Sequence, residues 1–178
     1  SGRRAEMKSR LLLILPTNTY QAASFLAAAA ELGVEVVVTS EQPQALDRVV
    51  ANKTLTVDLG DLDAAVNTIE RFHQERPLHA VVGADDHTAL LAARAGEALA
   101  LPGNSAAAVH VAGNKFLMRS TLRDAGLPTP QFVLFDAGIT PVLDRIPGFP
   151  CVLKPVRLAA SRGVIRANDE AEFITAFE

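Results

Sequence analysis

Apolar residues follow two rhythms along this chain. Short apolar runs at 11–15, 34–38 (broken only by Glu35) and 80–82 alternate with longer stretches in which apolar positions recur every three or four residues. Continuous runs of this length read as strands buried on both faces, as in a parallel sheet. The periodic stretches read as helices. One is alanine-rich, covers 20–32 and is closed by Gly33, a residue suited to a helix C-terminus. A second starts near Asp61 and places Leu62, Val66, Ile69 and Phe72 or His73 on one face. A third is capped by Asp85 or Asp86 and runs to Leu99, with Leu91, Ala95 and Ala98 sharing a face. Residues 54–57 make a weaker strand. This alternation predicts an α/β fold with a Rossmann-like parallel sheet over 11–103. Ligands of such sheets bind outside the carboxyl ends of the strands, so the loops at 16–21 and 83–87 are candidate positions.

After Leu101-Pro102-Gly103 the pattern changes. Two short helices are predicted, at about 105–111 and 115–124, separated by Gly113-Asn114. Gly126-Leu127-Pro128 ends the second, and Pro130 discourages its resumption. The remainder predicts strands at 131–135, 151–154 and 163–166 and a helix at 169–177, where Asp169 and Glu172 resemble a capping arrangement. The organisation expected is therefore a leader at 1–10, a Rossmann-like domain at 11–103, a helical linker at 104–127 and a further unit at 128–178.

Composition narrows the classes of function. Hydrophobic residues make up 49% and charged residues 21%, the balance of an ordinary core-forming protein. A formal net charge of −3 gives no bulk attraction to nucleic acid or an anionic membrane. The basic run Arg3, Arg4, Lys8 and Arg10 reads as a solvated leader, part of it introduced for expression. Cys151 is the only cysteine, so no internal disulfide or cysteine metal cluster forms, and a reducing cytoplasmic setting fits. His73, His79, His87 and His110 lack zinc-type spacing.

The common phosphate cradles are missing. A dinucleotide-binding turn needs glycines for the pyrophosphate to approach the backbone, and the turn at 16–21 has none. No P-loop string occurs either. What does occur is Val152-Leu153-Lys154-Pro155, then a small-residue loop with Ser161, then Gly163 opening the next strand. A strand-end ammonium beside backbone N–H groups and a hydroxyl makes a phosphate clamp, although such a lysine is also commonly a solvated edge. Lys115 sits in the first turn of a helix, where the dipole disfavours a cation, so its position invites a functional reason. Asp85 and Asp86 could face a substrate or simply cap their helix, and Thr17, Asn18 and Thr19 could shape a pocket or simply a turn.

Together these segments resemble the ATP-grasp superfamily, in its biotin carboxylase-like and L-amino-acid ligase-like branch. The resemblance is carried by Gly83-Ala84-Asp85-Asp86, Leu101-Pro102-Gly103-Asn104 and Asn114-Lys115-Phe116-Leu117-Met118-Arg119. Ala125-Gly126-Leu127-Pro128-Thr129-Pro130, Phe149-Pro150-Cys151-Val152-Leu153-Lys154-Pro155 and Ser161-Arg162-Gly163-Val164 complete it. It implies a Rossmann-like domain at 11–103, followed at 128–178 by the first, incomplete ATP-grasp lobe.

The resemblance further implies an ATP-dependent carboxylate–amine or carboxylate–thiol ligase working through an acyl phosphate. Lys115 then reaches the phosphates from the helix and Lys154 from the strand. Ser161 and Gly163 belong to the loop that closes over them, and Val152 touches the adenine. Small-molecule substrates are implied, with Mg2+ held by ligands beyond residue 178; relatives often dimerise. The chain reads as an amino-terminal part that lacks the metal-binding lobe and should not catalyse alone. Its loop has fewer glycines than many relatives. The competing expectation is a non-catalytic nucleotide-binding or scaffold module with the same fold.

Overall fold

The computed structural model describes residues 9–16, 22–41 and 54–178. Arg3, Arg4 and Lys8 of the leader, Thr17, Asn18 and Thr19 of the first turn, and the expected helix start at Tyr20 lie outside them. The backbone separates into two units, Ser1–Val109 and His110–Glu178.

In the first unit, β1 (Arg10–Ile14), β2 (Glu35–Ser40), β3 (Thr54–Thr56) and β4 (Ala80–Gly83) form a parallel sheet in the order β3-β2-β1-β4. Because strand side chains alternate, neighbouring residues of β1 feed two different cores. Leu12 and Ile14 join Val37 on one face, packed with Ala65 and Ile69 of α2 (Leu62–Glu75) and Leu91 and Ala95 of α3 (Asp86–Ala98). Leu13 and Leu15 join Val36 and Val38 on the other, packed with Ala29 of α1 (Ala22–Glu31). Helices on both faces of an all-parallel sheet are the doubly wound arrangement expected from the continuous apolar runs. Each fully buried aliphatic side chain contributes roughly 1.5–3 kcal/mol.

Three details differ from expectation. Ala98 is exposed: it is the last residue of α3 and lies at the edge of a buried stripe that runs through Thr88, Leu91, Ala92, Ala95 and Gly96 and continues at Leu99. Arg10 is not leader but the first residue of β1. Its side chain pairs with Glu35 at 2.9 Å, and Glu35 also takes Arg76 at 3.1 Å. The third lies at the end of α3, where Ala100 rather than glycine adopts φ +52°.

The division between the units falls within α4 (Ala106–Ala112); in the second unit α5 (Lys115–Asp124) follows, and β5 (Cys151–Leu153) pairs antiparallel with β6 (Ile165–Ala167). Then comes α6 (Glu170–Phe177), whose Phe173 is buried, as is Ala167 of β6. Asp169 caps α6 by accepting from the Glu172 N–H at 2.9 Å. The Glu172 carboxylate reaches back to the N–H of Asn168 rather than of Asp169, a capping box displaced by one residue.

The strand expected at 131–135 does not form. Phe132 lies edge-on to Phe116, and Phe135 packs against Phe173 and Phe177, with ring centres 5.7–5.9 Å apart. The segment is held by its rings rather than by a backbone ladder. The strand expected at 163–166 begins only at Ile165, because Ala160, Ser161 and Gly163 all take positive φ and turn the chain first.

Candidate functional site

The second unit builds its site from a helix start. The Asn114 side chain accepts hydrogen bonds from the Phe116 N–H (3.0 Å) and Leu117 N–H (3.1 Å), capping α5 and making Lys115 its first residue. The Lys115 N–H donates to the carbonyl of Val156 at 3.1 Å. Its Nζ donates to the carbonyls of Pro155 at 3.1 Å and Leu158 at 2.5 Å. Three hydrogen bonds therefore join the helix start to the segment that follows Lys154. Lys154 itself is exposed and makes no hydrogen bond or ion pair among the described residues. The structure thus brings the Lys115 ammonium against the residue next to Lys154.

The β5–β6 ladder has a covered and an open face. Cys151, Leu153 and Ala167 alternate onto the covered side; burial pushes the Cys151 thiol pKa up. Val152 is 52% exposed on the other side and shares it with Lys154, two residues on. Arg166 stands opposite Val152 in register, on the same open face, and its Nε donates to the Asn168 side chain at 3.0 Å. Sequence reasoning missed Arg166, although the two-residue alternation back from buried Ala167 places it there.

The loop between the strands is folded back on itself. Ser161 is exposed at φ +56°, beside Ala160 at φ +53°. Gly163 has φ +67°, and a Cβ there would lie 2.8 Å from Cγ of Pro155, so both conformation and space demand glycine. Arg162 is exposed, its Nε donating to the Ala159 carbonyl at 3.4 Å. A groove of about 460 Å³ in this unit is lined by Arg123, Thr129, Pro130, Gln131, Phe132 and Pro147. It contains none of the residues expected to bind ATP and sits at the other end of α5 from Lys115. Among the described residues that line it, half are proline or phenylalanine, and Arg123 is the one cation.

In the first unit the strand order reverses between β1 and β4, which makes the crevice outside their carboxyl ends the topological switch point. The Ala84 N–H donates to the Ile14 carbonyl there at 3.0 Å. Asp85 Oδ1 accepts from the N–H groups of His87 and Thr88 and from the Thr88 hydroxyl, at 2.9–3.1 Å. It caps α3 through this one oxygen. Asp86 is exposed and makes no hydrogen bond among the described residues. Of the histidines, His73 and His79 each accept from a backbone N–H, of Leu78 and Arg10 respectively.

Residues 26–103 match the family model of the ATP-grasp N-terminal domain. The formate-dependent phosphoribosylglycinamide formyltransferase of Rhodococcus jostii (strain RHA1) is 32% identical over 155 residues, which are 83% of this chain and 36% of that protein. The chain belongs to the ATP-grasp superfamily. The L-amino acid ligase of Bacillus licheniformis superposes with a TM-score of 0.73 at 26% identity, over 96% of this chain and 42% of that one. A carboxyaminoimidazole ribonucleotide synthase from Aspergillus clavatus, solved with ATP, has a TM-score of 0.67 at 18% identity, over 95% and 44%, and shares the fold. This ATP-grasp chain thus spans 36% of the first curated relative's length. Among its described residues no helix is long and apolar enough to cross a membrane.

Proposed function

We propose that the second unit binds the triphosphate of ATP and that the chain is the amino-terminal part of an ATP-dependent carboxylate–amine ligase. In this reading residues 11–103 are the domain preceding the grasp and 128–178 the first grasp subdomain, with 104–127 linking them. Lys115, Lys154, Ser161 and Gly163 serve the phosphates and Val152 the adenine. The observation that carries the reading is the meeting of the Lys115 ammonium with the loop that leaves Lys154. Two ammonium groups and a turned loop of small residues offer charge and backbone donors to phosphoryl oxygens that gain negative charge during transfer.

The chemistry is an ordinary acyl activation. A substrate carboxylate oxygen attacks the γ-phosphorus, the bond to the β–γ bridging oxygen breaks and ADP leaves. An amine then attacks the acyl carbon and inorganic phosphate departs. A formate-dependent formyltransferase acting on phosphoribosylglycinamide pairs a carboxylate with an amine, which supports this substrate class over a thiol. Asp86, unbonded at the switch point of the first unit, is the carboxylate we assign to substrate binding there. Mg2+ would screen the phosphate charge. Among the described residues no group of three or more His, Cys, Asp or Glu side chains converges as a metal site.

In a protein carrying this chain together with the rest of the ligase, ADP release should require a carboxylate substrate. Lys154→Ala should lower kcat/KM by about 100-fold or more, as for loss of one oxyanion-stabilising donor. Unchanged turnover in Lys154→Ala would remove the lysine from the site.

A further inference from the structure

The ammonium of Lys115 is held by one loop from two directions. Of its three donors, two are committed, to the carbonyls of Pro155 (3.1 Å) and Leu158 (2.5 Å). The backbone N–H of the same residue fixes Val156 between them. Beyond Leu158 the loop passes through Ala160 and Ser161, two non-glycine residues with positive φ, and returns to press Gly163 on the Pro155 ring. The loop is therefore folded onto its own first residue and fastened to the start of α5 by a lysine side chain.

Phosphate oxygens attract an ammonium more strongly than neutral carbonyls do, because both partners are charged. A triphosphate that reaches Lys115 competes for the same protons that now bind the loop. We propose that Lys115 is a latch as well as a phosphate ligand. Without nucleotide it holds residues 155–163 in the folded conformation. When a triphosphate arrives, Nζ transfers from the two carbonyls to phosphate oxygens, and the loop is freed to rearrange. Loop position and nucleotide affinity are then coupled, since each state of the loop makes different use of one ammonium. The transfer step rests on the ATP reading; the latch itself does not.

The test uses two natural cleavage points. Arg157 and Arg162 are exposed within the loop, on either side of the Leu158 carbonyl. Trypsin cleaves after arginine, whereas the Lys154–Pro155 bond resists it. Lys115→Met keeps the chain length and the backbone N–H but removes the charge. In the nucleotide-free chain, nicking at Arg157 and Arg162 should be about tenfold faster in Lys115→Met than in wild type, with Lys115→Arg between them and melting temperatures matched. Loss of charge-assisted bonds shifts the open population by at least about that factor. Equal nicking in wild type and Lys115→Met overturns the latch.

A reading on the unaltered chain guards against a variant that folds poorly. In competitive amine labelling Lys115 should react several-fold more slowly than exposed Lys154, and equal rates also overturn the latch. Finally, a non-hydrolysable ATP analogue should shift the wild-type nicking rate and leave that of Lys115→Met unchanged. A wild-type rate that ignores the analogue, while the analogue still shifts the amide resonances of 152–154, overturns the transfer step alone; absence of both responses counts against the ATP reading, and the nucleotide-free latch stands in either case.

Discussion

At the scale of single residues, the ends of three helices follow one rule, and one of them breaks its usual composition. After α1, α3 and α5 the chain makes the same pair of closing hydrogen bonds, such as Ala100 N–H to Glu97 and Leu101 N–H to Gly96. Gly33 and Gly126 occupy the left-handed position after α1 and α5, but Ala100 occupies it after α3 at φ +52°. An alanine there carries roughly 1–2 kcal/mol of steric cost, offset in part by the greater freedom glycine has when unfolded. Ala100→Gly should therefore stabilise the chain by about 0.5–1 kcal/mol, read as a higher urea midpoint at unchanged slope. A lower midpoint would show that the strain is relieved elsewhere. This residue was invisible in the sequence, where an alanine among alanines carries no sign of its φ. The lysines were visible, because a helix start is an unusual place for a cation and Lys154 is followed by a small-residue loop of the kind that cradles phosphate. The partners of Lys115 were not, since they are backbone carbonyls 40 and 43 residues away. Asp85 and Asp86 were equally eligible caps, and only the geometry separates the one that bonds the helix start from the one that does not.

At the scale of elements, the tightest joint is between β4 and α3. A Cβ on Gly83 would lie 2.7 Å from the carbonyl carbon of Thr88 and 2.9 Å from the Ala89 nitrogen, both backbone atoms that cannot swing aside. Gly83→Ala should destabilise the first unit by about 1–3 kcal/mol, the usual cost of overpacking; calorimetry showing no change would mean that β4 and α3 separate freely. The same joint sets Asp85 at its cap, so displacement would also disturb the switch-point loop. Strands buried on both faces were legible because a short continuous apolar run leaves neither face suited to water, and helices because their stripes recur. The segment at 131–135 misled because aromatic and β-branched residues suit a strand and an aromatic cluster equally well. Val152 and Lys154 share a face by the alternation of one strand, but register set Arg166 opposite Val152, and register belongs to pairs of strands rather than to either alone.

At the scale of the whole molecule, labour is divided between the units. One is a doubly wound sheet whose switch point carries Asp86; the other is a small lobe in which Lys115, at a helix start, is hydrogen-bonded to the loop that follows β5. The superfamily was legible because several weak motifs occur in one order, each tied to a turn or a cation. The central claim is that the nucleotide is held by the second unit at Lys115 and Lys154. Titrating the isotope-labelled chain with ATP and following backbone amide resonances tests this directly, since even weak binding moves them. Shifts should concentrate at Lys115, at 152–154 and at 156–164, and should be abolished in Lys154→Ala. Shifts confined to the groove around Arg123 and Phe132, or to the first unit, would contradict it.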